Sequence, residues 1–200
     1  MLAELRDALR HECVSRRQVV KRVSKLLRTA SEGCEMAMVL TVSNAYLRTE
    51  CVDGETTEFL PFLNDEYVVL RTVDGCDLSL VGLSTGDDTI VITSDTVESQ
   101  QKKGYNTMLR AVAVMIAFVE DKPLRSDIDN AWSAYTLMKM FQTTLVQRDG
   151  TTTVFDDRLS ADDAMQWKRG AKQVLVRPTI KNVNYATRVF VDRLDVLRCR

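Results

Sequence analysis

The sequence lacks most of the patterns that mark metal sites and membrane spans. Its 200 residues include one histidine, five cysteines and no C-x-x-C pair, so we do not expect a zinc site. No apolar run approaches the roughly 20 residues that a membrane-spanning helix needs. The charged N-terminus also lacks the apolar segment of a secretory signal peptide. We therefore expect an intracellular, cytoplasmic protein whose cysteines are free thiols in a reducing compartment.

Proline and glycine are also scarce, with three and eight residues. No low-complexity stretch, internal repeat or linker interrupts the chain, and 45% of its residues are hydrophobic, enough for one domain with a core. We predict a single domain over residues 1–200. It divides into a helical pair (1–33), a core (36–156) and a C-terminal extension whose structure is left open (157–200).

Charge is distributed unevenly along the chain, although the net charge is only −1. Residues 1–30 carry eight basic side chains against three acidic ones, and residues 166–200 carry nine against two. Between them, residues 51–100 carry eleven acidic side chains and one basic side chain. Two interpretations remain: these charges are solvated surface, or the acidic middle attracts cations and the basic ends attract nucleic acid.

Two amphipathic helices are predicted within residues 1–30, because apolar residues recur there at helical spacing. Ser15 followed by Gln18 has the spacing of a capping box at the start of the second helix. The single histidine, His11, lies two residues from Cys13 on the first helix. Side chains two apart on a helix face different directions, so no Cys–His nucleophile is expected here.

A three-stranded antiparallel meander is predicted over residues 66–95. Short β-branched runs are separated there by Asp74-Gly75 and by the turn sequence TGDD, both of which favour hairpins. A helix should follow from about residue 104 to residue 120, before the helix-breaking Pro123. The remaining predicted elements are a helix capped by Asp129 or Asn130, a hairpin around Gly150 and a helix after Ser160. The last thirty residues fit either strand or helix.

The segment between the meander and its helix is the first candidate binding site. It reads QKKGYN and comprises Gln101, Lys102, Lys103, Gly104, Tyr105 and Asn106. Free N–H groups at a helix N-terminus bind phosphate, a glycine permits close approach of the backbone, and lysines add attraction. An ordinary helix start is the alternative interpretation of the same residues.

The order of these elements resembles the GCN5-related N-acetyltransferase superfamily. The phosphate-binding signature of that family is Arg/Gln-x-x-Gly-x-Gly/Ala, and residues 101–106 fill its six positions, with Asn106 replacing the last small residue. The resemblance spans roughly residues 66–156, within the acetyltransferase-like core. It implies an α+β fold with a mixed, mainly antiparallel central sheet flanked by helices, here with an N-terminal helical pair.

The resemblance also implies a reaction, in which an acetyl group moves from acetyl-CoA to an amine. In the family the donor lies in a splay between two parallel strands, which here implies a carbonyl-polarising amide near Thr93. The segment NAWSAYTLMKMF resembles the last long helix of the family but lacks its general-acid tyrosine, for which Tyr135 is the candidate. Asp95 is a candidate base, with Asp77 and Glu66 as further options.

The acidic middle of the chain favours a cationic acceptor, either a small amine or a basic protein. Two other function classes remain open. The chain could be a non-catalytic binding or scaffold protein that keeps this fold, or a nucleic-acid-associated protein that uses its basic ends. A membrane partner is not expected.

Overall fold

The computed structural model describes residues 2–13, 15–32, 37–43, 66–96 and 101–198. Within these ranges, six helices flank one open, mainly antiparallel sheet of eight strands. The predicted α+β class with an N-terminal helical pair is confirmed.

The helices are α1 (Leu2–His11), α2 (Arg16–Ser31), α3 (Tyr105–Val119), α4 (Ala131–Met140), α5 (Ala161–Trp167) and α6 (Ile180–Arg198). The strands are β1 (Met38–Ser43), β2 (Glu66–Thr72), β3 (Asp77–Thr85), β4 (Ile90–Thr96), β5 (Leu124–Asp127), β6 (Thr143–Gln147), β7 (Thr152–Phe155) and β8 (Ala171–Val176). The order in the sheet is β1-β2-β3-β4-β5-β8-β6-β7.

Both N-terminal helices form as predicted and belong to the main core. The Ser15 hydroxyl caps α2 by accepting a hydrogen bond from the Gln18 N–H at 3.4 Å. Capping of this kind satisfies one of the backbone donors that a helix start leaves unpaired. The apolar stripe of α2 is buried against β1, α3 and α6, and that of α1 is buried mainly against α6. These stripes comprise Leu5, Leu9, Val19, Val20, Val23 and Leu27.

The helix α2 also protects the outer edge of the sheet. Its Ser24 and Ser31 hydroxyls accept hydrogen bonds from the backbone N–H groups of Leu40 and Met38, each at 3.0 Å. An unpaired edge strand is a template for aggregation. Two serines of α2 therefore supply partners to β1 that a neighbouring strand would otherwise provide.

Arg16 joins the start of α2 to the sheet and to the end of α3. Its guanidinium donates to the Glu120 carboxylate at 2.7 and 2.8 Å, to Glu66 at 3.2 Å and to the Thr85 hydroxyl at 2.6 Å. The bond to Glu120 is the main reason why the pKa of Arg16 is raised. Glu66, one of the candidate bases, is therefore held in an ion pair.

The predicted meander and its helix are confirmed. Strands β2, β3 and β4 pair in antiparallel order, and β1 extends them at the outer edge. The helix α3 begins at Tyr105 after the N-cap Gly104 and ends before Glu120. It is buried on nearly every side, because the sheet lies under it and α6 packs against it.

Two strands were missed by the sequence interpretation. The strand β5 has only four residues, and β8 starts within a segment that we expected to stay helical as far as Lys172. The helix α5 ends at Trp167 instead, and Gly170 turns the chain with a φ of +84°. Because β8 lies between β5 and β6, the C-terminal region completes the sheet, and the ambiguous final segment is the helix α6.

The cysteines differ from the expectation in one respect. Cys13 carries a free thiol, but Cys76 is disulfide-bonded. Cys34, Cys51 and Cys199 lie outside the described residues. The expectation of free thiols throughout is therefore wrong at Cys76.

Candidate functional site

The sheet opens on one side of β4. Strands β4 and β5 run parallel, whereas the other described neighbours in the sheet run antiparallel. Their pairing ends at Ile92 and Ser126, although β4 continues to Thr96. The next residue of β5, Asp127, still pairs with Gln173 of β8. Pairing with β5 therefore stops before β4 ends, and we call the region beside residues 93–96 of β4 the opening.

The helix α3 starts just beyond this opening. Its N-cap, Gly104, has a φ of +85°, and Lys102 also has a positive φ, of 65°. The first hydrogen bond of the helix joins the Met108 N–H to the Gly104 carbonyl at 3.1 Å. N–H groups in the first turn of a helix have no partner within the helix and attract anions. Lys102 and Gly104 therefore form a left-handed turn immediately before the helix start.

A third cation, Arg193, reaches this turn from α6. A Cβ atom added to Gly104 would lie 2.9 Å from Nη1 and 3.2 Å from Nε of Arg193. Real side chains do not approach so closely, so the contact requires glycine. Among the described residues, no ion pair or hydrogen bond engages the Arg193 guanidinium. Together with Lys102 and Lys103 it makes a concentrated positive charge beside the start of α3.

The other residues of the QKKGYN segment differ in exposure. Gln101 and Lys102 are exposed, Lys103 is half-buried, and Tyr105 is buried in the core. Asn106 is half-buried, and its Oδ1 is shielded from solvent without a hydrogen-bond partner. This oxygen does not project into solvent from the helix start. The structure therefore brings Lys103 and Gly104 together with Arg193, and Lys102 precedes them in the chain.

The predicted base, Asp95, lies on the far face of the sheet from α3. Side chains alternate along a strand, and Ser94 contacts α3, so Thr93 and Asp95 point to the opposite face. Both are exposed, and the Asp95 carboxylate accepts a hydrogen bond from the Thr96 N–H at 2.7 Å. The other option, Asp77, is buried and paired with Arg71. Asp95 is the more accessible of these two carboxylates.

The predicted acid, Tyr135, lies in a different environment. Its ring packs edge-to-face on Trp132, with 5.3 Å between centroids, and the Lys139 ammonium lies 5.1 Å from its centroid. Lys168 lies over the neighbouring Trp132 ring at 3.4 Å. No interaction among the described residues joins Tyr135 to Asp95. The structure does not bring the two predicted catalytic side chains together.

A buried arginine crosses the opening instead. Arg110, on α3, is 4% exposed. Its Nη2 donates to the Ser94 hydroxyl of β4 at 3.2 Å and to the Ser133 hydroxyl of α4 at 2.9 Å, and its Nη1 donates to the Ser133 carbonyl at 3.2 Å. Burial lowers the pKa of Arg110 to about 10, so the side chain stays charged at neutral pH. The single charge in an apolar helix was visible in the sequence, but its two serine partners were not.

A separate basic groove lies between α2 and β1. Its volume is about 780 Å³. Four cations on α2 line it, namely Arg17, Lys21, Lys25 and Arg28, and all four are exposed. Apolar side chains of β1, including Val39 and Val42, form its other wall. The groove places four basic side chains of α2 on one surface.

The part of the chain that the structure describes contains no candidate metal site and no candidate membrane span. No group of three or more His, Cys, Asp or Glu side chains there could hold a metal ion. No helix there is long and apolar enough to cross a membrane. No protein-family model matches the chain, and no curated protein matches it by sequence.

Proposed function

We propose that the protein is an acyl-coenzyme A-dependent N-acyltransferase that acts on a cationic amine, with acetyl-CoA as the donor that the family resemblance implies. One observation carries the proposal: the parallel pairing of β4 with β5 stops at Ile92 while β4 continues to Thr96, and the basic start of α3 follows β4 in the chain. An extended ligand with a diphosphate at one end fits an unpaired strand edge followed by a basic helix start. Its arm would lie along residues 93–96, and its diphosphate beside Gly104.

The charges at the helix start suit a diphosphate better than a single carboxylate. Lys102, Lys103 and Arg193 approach from two different elements, and the first-turn N–H groups of α3 point the same way. Helix N-termini and basic side chains act together in binding phosphate. The positive φ of Gly104 disfavours a side chain at this position, and the Arg193 guanidinium occupies the space where one would lie.

The reaction requires few protein groups. A free amine attacks the thioester carbonyl, the resulting tetrahedral intermediate expels the coenzyme A thiolate, and the amine loses a proton. Positioning and a backbone donor near Thr93 would supply most of the catalysis. Asp95, exposed on the far face of the sheet, is the proposed base for the acceptor ammonium. The ring of Tyr135 contacts Trp132, Lys139 and Lys168, and no interaction among the described residues links it to β4, so the proposal assigns it no contact with the thiolate.

Calorimetry with coenzyme A tests the diphosphate site. We expect the wild-type protein to bind coenzyme A and acetyl-CoA, and Arg193→Ala to weaken both by roughly tenfold at low salt, the loss of one charge-assisted contact. Lys102→Ala should weaken binding less, because that side chain is exposed, and both effects should shrink as salt rises. Lys172→Ala, an exposed lysine on β8, is the control. Absence of coenzyme A binding at millimolar ligand would refute the proposal.

The basic groove supports a second candidate function, binding of single-stranded nucleic acid. Lys21 and Lys25 lie one helical turn apart, and four residues of helix span about 6 Å. Neither forms an ion pair among the described residues. Fluorescence anisotropy with labelled RNA should show binding that weakens steeply with salt. Lys21→Ala combined with Lys25→Ala should flatten that salt dependence, whereas Lys172→Ala should not. Equal binding by both variants would remove this candidate.

A further inference from the structure

The guanidinium of Arg110 makes hydrogen bonds but no ion pair in the part of the chain that the structure describes. The three acceptors of its guanidinium are two serine hydroxyls and one serine carbonyl, all neutral. No carboxylate among the described residues pairs with it. Burying an unpaired charge is costly, and apolar side chains of similar size are usually at least as stabilising in a core. Stability of α3 alone does not account for an arginine at this position.

One donor of the same guanidinium is also unused. The Nε–H of Arg110 is buried and has no hydrogen-bond partner. Nearly all buried polar groups in proteins have one, and an unpaired donor of a charged group is especially unfavourable. The side chain therefore combines an uncompensated charge with a vacant donor, which is the arrangement that a carboxylate would complete.

The position of Arg110 indicates which part of a ligand would reach it. The guanidinium spans from Ser94 to Ser133, across the gap that forms after β4 and β5 stop pairing at Ile92 and Ser126. In the proposed binding mode, the arm of the donor lies along the edge of β4 at residues 93–96. The end of that arm, the acyl group, would then lie next to Ser94 and Arg110.

We infer that Arg110 binds a carboxylate at the end of the acyl group, so that the preferred donor is the coenzyme A thioester of a short dicarboxylic acid, such as succinyl-CoA. This inference rests on the proposed function and specifies its donor. One carboxylate oxygen would accept from Nε–H, and the other from the Ser94 hydroxyl, because both N–H groups of Nη2 already donate to serines. A hydrogen bond from a guanidinium to a carboxylate is charge-assisted and therefore among the stronger ones in proteins.

The acceptor amine is a less suitable partner for this site. A cationic acceptor is repelled by a buried guanidinium, and the exposed carboxylate that could attract it, Asp95, projects from the opposite face of the sheet. Arg110 is almost fully buried, so only a slender group at the end of an extended arm can reach it. Donor and acceptor would thus approach β4 from its two faces.

A matched pair of ligands tests the inference on the wild-type protein. Succinyl-CoA and butyryl-CoA carry acyl groups with the same four-carbon chain and differ in the terminal carboxylate. We expect calorimetry to show succinyl-CoA binding at least about tenfold more tightly, the contribution of one charge-assisted contact. Equal affinity for the two thioesters, with coenzyme A itself bound, would overturn the inference and leave the proposed function standing. Failure to bind coenzyme A would refute the proposed function and this inference with it.

Variants then assign the preference to Arg110. Arg110→Met should bring the ratio of the two affinities close to one while coenzyme A affinity changes by less than about threefold. If Arg110→Met does not fold, Arg110→Lys keeps the charge but loses the planar pair of donors and should reduce the ratio. Ser94→Ala should keep a preference for succinyl-CoA, because Arg110 remains. If Arg110→Met and Arg110→Lys both keep the wild-type ratio of succinyl-CoA affinity to butyryl-CoA affinity, residues other than Arg110 cause the preference and the assignment is contradicted.

Discussion

Removal of residues 1–31 should abolish cooperative unfolding of the protein. The six apolar side chains that α1 and α2 contribute to the core are each at most 3% exposed. Burial of one such side chain contributes about 1.5–3 kcal/mol, so their loss amounts to on the order of 10 kcal/mol. The net stability of a domain is only about 5–15 kcal/mol. Circular dichroism during thermal melting should therefore show a broad, featureless transition for the truncated chain.

A pair of adjacent leucines provides the control for this truncation. Leu27 is completely buried, whereas Leu26, its neighbour on α2, is only partly buried. Leu27→Ala should lower the free energy of unfolding by about 2–5 kcal/mol, and Leu26→Ala should lower it by clearly less. If the truncated chain melts cooperatively and Leu27→Ala resembles Leu26→Ala, the N-terminal helices are an appendage after all.

The elements predicted correctly are those with local signals. A serine at capping distance from a glutamine marks the start of α2, and an Asp-Gly turn separates β2 from β3. The missed strands carry no such signal. The short β5 has four residues and no alternating pattern, and β8 follows a helix without a proline between them. Their places in the sheet depend on partners far along the chain, which periodicity does not reveal.

The residues of the candidate site likewise divide into those that the sequence alone indicates and those that only the fold brings together. Lys102, Lys103 and Gly104 are contiguous, so the sequence alone indicates an anion-binding helix start. Arg193 comes from α6, in a segment that fits either strand or helix, and only packing of α6 on α3 brings it to Gly104. Arg110 stands out in the sequence as the one charge in an apolar helix. Its partners, Ser94 and Ser133, become recognisable only when the opening beside β4 is known.

Replacement of Gly104 by valine should disrupt both the helix start and the proposed coenzyme A site. The φ of +85° at this position is unfavourable for any residue with a Cβ atom and most unfavourable for a β-branched one. Such strain costs about 1–3 kcal/mol. The valine would also displace the Arg193 guanidinium, which lies 2.9–3.2 Å from the position of its Cβ atom. We expect lower thermal stability and loss of detectable coenzyme A binding.

Gly150→Val separates backbone strain from the effect on the site. Gly150 has a φ of +88°, nearly the same as Gly104, but an added Cβ atom there would meet no atom within 4 Å. It lies in the turn after β6, remote from α3. Gly150→Val should therefore lose about 1–3 kcal/mol of stability through strain alone and keep its coenzyme A affinity. If Gly104→Val loses no more than Gly150→Val and still binds coenzyme A, the QKKGYN segment is an ordinary helix start. Loss of binding in Gly104→Val alone would instead link this glycine, and the Arg193 side chain packed on it, to the diphosphate.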